Sequence, residues 1–297
     1  MIQPAYLKTG DSVAIIATAR KISKEELRQA VTFLESYGLS VVFGKHLFEI
    51  DNQYAGTDAQ RVEDLQWALN DPGIKAVLMA RGGYGTVRLI ESIDFSEFLK
   101  HPKWIVGYSD ITVLHNAIHN KGVETLHATM PINFYKDEEA TRSMIQALLG
   151  GMKYSTAAPH LLNRKGKASG ELLGGNLSLI YALSGTGYDI DTTGKILFIE
   201  DLDEYLYHID RMMMQLKLSG KLKNLTGLVV GGMTDMKDNV VPFGKTAEEI
   251  ILAAVKDYDY PVCFHFPAGH IDKNMALYFG RNTTLNVQAD SVSLAFD

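Results

Sequence analysis

The 297 residues contain one cysteine, Cys263, which excludes an intrachain disulfide and any zinc site built on cysteines. Nowhere does an apolar run approach the roughly 18 residues that a membrane span requires. The amino terminus, Met1-Ile-Gln-Pro-Ala-Tyr-Leu-Lys8, lacks the charged segment and apolar core of an export signal. The expected setting is therefore the cytoplasm, with no membrane partner. Basic residues are outnumbered, 29 Lys and Arg against 35 Asp and Glu for a formal net charge of -6. They are scattered rather than striped, so no nucleic-acid partner is expected. Internal repeats and low-complexity segments are missing too.

What is present describes a globular protein, with 46% hydrophobic and 22% charged residues and length enough for one large domain or two ordinary ones. Ser12 to Thr18 is an unbroken apolar run, the pattern of a strand covered on both faces. Lys24 to Tyr37 has helical spacing at Leu27, Ala30, Val31 and Leu34, and Gly38 ends it. A strand at Leu39 to Phe43, a helix at Asp58 to Asn70, and strands at Ala76 to Ala80 and Trp104 to Gly107 continue the series. Such alternation predicts a parallel sheet with helices on both faces. From Gly150 to Gly170 the periodicity decays, which puts the interdomain crossing there, between domains 1–152 and 168–297.

The second half reads differently. A glycine-rich opening, Leu172-Leu-Gly-Gly-Asn-Leu177, leads to a helix ending near Leu183, and a strand at Lys195 to Ile199 ends on Glu200. Helices at Tyr207 to Leu218 and Thr246 to Val255, strands at Gly227 to Gly231 and Pro261 to Phe266, and short strands from Leu277 to Phe296 complete it.

Ser109 stands where the strand Trp104–Gly107 turns into a helix. Such a corner pushes a hydroxyl out of the sheet and aims the N–H groups of the helix start at whatever it attacks. The Asp110 N–H would be one oxyanion donor, and Gly83, in the glycine-rich Arg81-Gly-Gly-Tyr-Gly85 at the end of another strand, would supply a second. The spelling is not Gly-x-Ser-x-Gly, however, and serine and aspartate also cap helices for local reasons. On these residues alone a helix cap and a nucleophile stand level, and a base and an orienting group are needed to decide.

Several lookalikes fall away. Gly244-Lys-Thr246 lacks the glycine five places earlier, where Asn239 stands, and Gly83-Tyr-Gly85 has Arg88 at the third glycine position of a dinucleotide fingerprint. His115 and His119 lie one helical turn apart, but Asn116 takes the place of a metalloprotease glutamate, so no metal is expected. In Glu200-Asp-Leu-Asp-Glu204, Asp201 and Asp203 suit capping of the following helix, whereas Glu200 is fixed by its strand. His270, in the loop Phe266-Pro-Ala-Gly-His270, is a candidate proton carrier. His265, between two phenylalanines, reads as structural, and Cys263 as an inert buried thiol.

Tyr54-Ala-Gly-Thr57, Arg61, Asp64-Leu65, Arg81-Gly-Gly-Tyr-Gly85, Gly107-Tyr-Ser-Asp-Ile-Thr112, Gly174-Gly-Asn-Leu177, Phe198-Ile-Glu-Asp201 and Gly269-His270 together resemble the serine LD-carboxypeptidases, or muramoyl-tetrapeptide carboxypeptidases. The microcin C immunity peptidases belong to the same family. The resemblance covers nearly the whole chain in the family's order. It implies an α/β fold with a flavodoxin-like parallel-sheet amino-terminal domain and a smaller mixed α/β carboxy-terminal domain. It further implies a Ser109-Glu200-His270 triad at their junction, no cofactor or metal, a homodimer, and a murein tetrapeptide substrate that loses its terminal D-alanine. Cleavage of aminoacyl adenylates is the alternative within the family, and a non-catalytic flavodoxin-like binding protein the alternative outside it. An exopeptidase must also hold a free carboxylate, for which Arg81 and Arg281 are candidates. The first strand ends in Ala17-Thr-Ala-Arg20 where the family commonly has Pro-Ser, which bears on substrate contacts beside the site.

Overall fold

Apolar runs without alternation build the first sheet in a computed structural model that describes all 297 residues. The strands β1 (Ser12–Ile16), β2 (Ser40–Phe43), β3 (Ile74–Met79), β4 (Trp104–Gly107) and β5 (Thr125–His127) are parallel neighbours in the order β2-β1-β3-β4-β5. Central β4 is buried at every residue, and the edge strand β2 at none. The connecting helices are α1 (Lys24–Ser36), α2 (Asp58–Asn70), the short α3 (Ser96–Lys100), α4 (Thr112–His119) and α5 (Glu138–Leu148). Both α1 and α2 start on capping boxes, Ser23 with Glu26 and Thr57 with Gln60, which satisfy otherwise unpaired N–H groups. The strand order is that of flavodoxin-like sheets, whose crevice opens beyond the carboxyl ends of the strands at the β1/β3 switch point. Here that point is framed by the segments after Ile16 and Met79.

The second sheet joins parallel and antiparallel pairing. Its strands are β6 (Tyr154–Ala157), β7 (Gly166–Asn176), β8 (Ile196–Leu202), β9 (Gly227–Thr234) and β10 (Val262–Cys263), with β12 (Asn282–Val287) and β13 (Val292–Phe296) from the tail, in the order β10-β9-β8-β7-β12-β13-β6. The helices α6 (Leu177–Leu183), α7 (Leu206–Leu218) and α8 (Ala247–Ala254) accompany it. The long β7 serves both halves. Its first residues alternate in exposure against antiparallel β12, and its last five are buried beside parallel β8. The fold class is thus the one expected. One tail strand, β11 (Leu277–Phe279), leaves the second sheet altogether and pairs antiparallel with β5, closing that edge of the first.

Several boundaries differ from the sequence reading for local reasons. The seemingly featureless stretch after Gly150 contains β6 and the start of β7, whose edge and half-exposed positions carry little apolar signal. The glycine-rich opening before α6 is the end of β7, with Gly174 and Gly175 at φ 131° and 136°. The strand through Glu200 continues to Leu202 across a register irregularity between Ile199 and Asp201. The expected strand to Phe266 stops at Cys263, because His265 adopts φ 54° and turns the chain out of the sheet.

The sheets meet where α4 abuts β7. Thr112 Oγ1 accepts a hydrogen bond of 2.9 Å from the Asn176 N–H, and a Cβ added at Gly175 would lie 2.4 Å from that oxygen. Glycine is required there for both its φ and the close approach. Gly175→Ala is expected to leave each sheet formed but to move α4, and with it Ser109, away from the second sheet. A displacement near 1 Å costs on the order of 100-fold in turnover. Steady-state kinetics beside a denaturation curve measure this, and unaltered kcat/KM would show that the junction tolerates the methyl group.

Candidate active site

Ser109 is the first residue after the β4 exit at Tyr108, and its φ of 67° lies in the left-handed region. A non-glycine residue held there stores about 1–3 kcal/mol, which the surroundings must offset. The restraint comes from its neighbour. Asp110, buried, accepts hydrogen bonds from the Thr86 N–H at 2.8 Å and the Thr86 hydroxyl at 2.6 Å. Burial raises the Asp110 pKa and the Thr86 hydrogen bonds oppose that rise. Thr86 Oγ1 also lies 2.7 Å from Thr18 Oγ1, and buried Arg61 donates to the Thr18 carbonyl at 2.7 Å. The segments following β1, β3 and β4 are thereby tied into one network beneath the switch-point crevice.

Above that network, the loop after β3 faces the serine through Gly82. A Cβ there would come within 3.1 Å of both Ser109 Cβ and Oγ. Gly83, at φ 131°, lies against the Arg20 side chain. Both glycines line a cavity of ≈ 610 Å³ that also holds Ser109, His270, Arg20 and Arg81.

The other two candidates arrive from the second half. Glu200 lies inside β8 with no solvent exposure. Its Oε2 lies 2.6 Å from His270 Nδ1 and accepts from the His270 backbone N–H at 3.0 Å. His270 Nε2 lies 2.9 Å from Ser109 Oγ. With Nδ1–H donating to the carboxylate, Nε2 presents its lone pair to the hydroxyl. Gly269, at φ 102°, lets the loop come this close, since a Cβ there would lie 2.7 Å from the Glu200 side chain. Asn274 Oδ1 accepts from the Gly269 N–H at 2.8 Å, and Thr234 donates to the His270 carbonyl at 2.8 Å, fixing both sides of the loop. Burial works against a charged imidazole at 270, but the charge of Glu200, its hydrogen bond and nearby Asp201 outweigh burial and lift the His270 pKa above its ordinary value. A serine, an imidazole and a carboxylate in this relation are equipped for acyl transfer.

Residues 13–128 match the LD-carboxypeptidase N-terminal domain, and residues 169–285 the LD-carboxypeptidase C-terminal domain. The chain belongs to the LD-carboxypeptidase family. It is 39% identical over 295 residues to a probable murein peptide carboxypeptidase of Bacillus subtilis, covering 96% of this chain and 91% of the relative. A murein tetrapeptide carboxypeptidase of Pseudomonas aeruginosa is 30% identical, with 92% of each chain covered. The crystal structure of a muramoyltetrapeptide carboxypeptidase from Oxalobacter formigenes superposes with a TM-score of 0.86 at 27% identity, over 96% of this chain and 98% of that one. As an LD-carboxypeptidase, the protein is a serine-type peptidase.

The remaining sequence-read residues of this LD-carboxypeptidase divide sharply. Arg81 lines the cavity, donating to the Lys21 carbonyl at 3.2 Å with Glu26 4.0 Å away. Arg281 does not line it, which corrects the expectation that it could hold a substrate carboxylate. Arg281 is buried, donates to Glu124 at 3.0 and 2.5 Å, and lies 3.7 Å from the Tyr278 ring centroid. Its charge is consumed in joining β5 to the tail. Asp201 turns to the start of α6, accepting from Asn176 and Ser178, and not to the helix that follows it. Burial, with Glu200 adding, pushes its pKa up to about 6. Asp203 pairs with Lys237 instead of capping α7. His115 has both ring nitrogens engaged, with Thr125 at 2.8 Å and the Gly107 carbonyl at 2.9 Å, and burial depresses its pKa to about 4. His265, read as structural, is a surface residue paired with Glu248. Burial pushes the Cys263 thiol up to about 12, the inert state expected. Thr86 and Lys136 went unread, since nothing in their spacing separates them from ordinary turn and cap residues.

Proposed function

We propose that this protein hydrolyses the L,D-peptide bond preceding the terminal D-alanine of murein tetrapeptides. The observation that carries the reading is the relay from Glu200 through His270 to Ser109, with contacts of 2.6 and 2.9 Å. In this mechanism His270 Nε2 takes the proton of Ser109 as Oγ attacks the carbonyl carbon, and Glu200 stabilises the imidazolium that forms. The N–H groups of Asp110 and Gly83 receive the developing oxyanion, each contributing about 3–4 kcal/mol to the transition state. His270 then protonates the departing amine. Water repeats the cycle on the acyl-enzyme and frees the tripeptide. No metal or organic cofactor enters any step.

The domain carrying the nucleophile is assigned to residues 1–152 and the one carrying the acid and base to 168–297. The reaction belongs in the cytoplasm, on peptides recovered from the wall, and to a homodimer, as the family resemblance implies. No helix is long and apolar enough to cross a membrane.

The test is a side-by-side assay of murein tetrapeptide and an aminoacyl adenylate. The expected outcome is release of free D-alanine from the tetrapeptide at a kcat/KM far above that for the adenylate. A reversed preference assigns the same relay to the adenylate chemistry, and hydrolysis of neither overturns the tetrapeptide reading.

A further inference from the structure

The departing residue of an exopeptidase carries a carboxylate, and three cations stand near the reacting atoms. Arg20, Arg81 and Lys136 all line the ≈ 610 Å³ cavity that contains Ser109. Only Lys136 also lines a second chamber of ≈ 180 Å³, which shares Tyr108, Asn133 and His270 with the first but excludes Ser109, Gly82 and Gly83. The chamber therefore opens on the histidine side of the serine, away from the glycine loop.

Acyl-transfer geometry decides between these cations. In the tetrahedral intermediate the oxyanion faces the N–H donors, whereas the leaving nitrogen must lie against His270 Nε2, which protonates it. The departing residue is thus directed to the histidine side. Its carboxyl carbon lies only about 2.5 Å from that nitrogen, two backbone bonds away. Arg20 packs over Gly83 and Arg81 adjoins Gly82, so both belong to the glycine-loop side of the serine and neither lines the second chamber. Lys136 is exposed and forms no ion pair, so its ammonium is available. It follows Asn133 in a tight turn closed by its own N–H to the Asn133 carbonyl at 3.0 Å, which sets the root of the side chain at the chamber's rim.

We propose that Lys136 binds the carboxylate of the departing amino acid in the chamber beyond His270, making the enzyme an exopeptidase. This deepens the carboxypeptidase reading and rests on it. Asp235 and Asp272 line the same chamber. The amine released on protonation by His270 is neutral, and once it takes a further proton from solvent its ammonium completes a zwitterion matched by a cation and carboxylates in a chamber of amino-acid size. A peptide prolonged past this position, or amidated there, offers Lys136 no charge and loses a charge-assisted hydrogen bond.

The experiment compares a tetrapeptide ending in a free carboxylate with the same peptide ending in an amide, using wild type, Lys136→Met, Lys136→Arg and Arg20→Met. Wild type is expected to favour the free acid by roughly 100-fold in kcat/KM, the scale on which loss of a hydrogen bond to a charged group is felt. In Lys136→Met that ratio should collapse toward one, Lys136→Arg should restore most of it, and Arg20→Met should keep it. A wild-type ratio in Lys136→Met, with circular dichroism and melting temperature unchanged, overturns the assignment, as does collapse in Arg20→Met instead. Failure of the wild type on both peptides overturns the underlying carboxypeptidase reading and this inference with it.

Discussion

Ser109→Ala and Ser109→Gly are both expected to lose tetrapeptide hydrolysis by at least about 10⁴-fold, the scale on which removal of a serine nucleophile is felt. The two variants should nevertheless differ in stability. At φ 67° a Cβ crowds the following carbonyl, so alanine inherits the strain of serine and glycine escapes it. Glycine returns part of the gain through its more flexible unfolded chain. The net expectation is that Ser109→Gly is more stable than Ser109→Ala by about 1 kcal/mol, read from urea unfolding midpoints. Retained hydrolysis in either variant would sink the nucleophile, while equal midpoints would remove only the strain. An inactive variant that outlasts the active enzyme is the mark of a site whose geometry is maintained against local preference.

Glu200→Gln should act on rate and on pH dependence together. Imidazole takes a proton only when neutral, so kcat/KM falls as pH drops through the His270 pKa. In the wild type burial pulls that pKa down, but the charge and hydrogen bond of Glu200 push it up by more, placing the acid limb above the ordinary value of 6.5. Removing the carboxylate leaves burial largely unopposed, and the limb should move to lower pH. The plateau should fall by about 10⁴-fold, because an amide facing Nδ1 no longer enforces the tautomer that offers Nε2 to the serine. A merely structural glutamate would lower the plateau without moving the limb. A limb that stays in place therefore rules against electrostatic control of His270 by Glu200.

The framework of the first half was legible because its central strands are covered on both faces and so read as unbroken apolar runs. Ser109 was legible as a corner, although its residues alone left a cap and a nucleophile level. His270 and Glu200 are separated from each other by 70 positions and His270 from Ser109 by 161, and no periodicity encodes such a meeting. The ordered set of motifs implied it, through resemblance. Arg281 was misjudged for a related reason. A free arginine and one buried against a glutamate 157 positions away look the same along a chain. The β6 strand and the first residues of β7 were hidden by their exposure, and the Thr86 contact with Asp110 by the ordinariness of threonine in a turn. Long-range polar contacts, more than secondary structure, mark where sequence patterns lose their hold.

The excursion of β11 into the first sheet makes the molecule a clasp. Residues 277–279 supply the only partner on the outer side of β5, so an amino-terminal fragment cut near residue 152 would present that edge as a template for intermolecular strand addition. A chimera that exchanges the second halves of two relatives must therefore bring a matching clasp as well as a histidine, or forfeit solubility before activity can be measured.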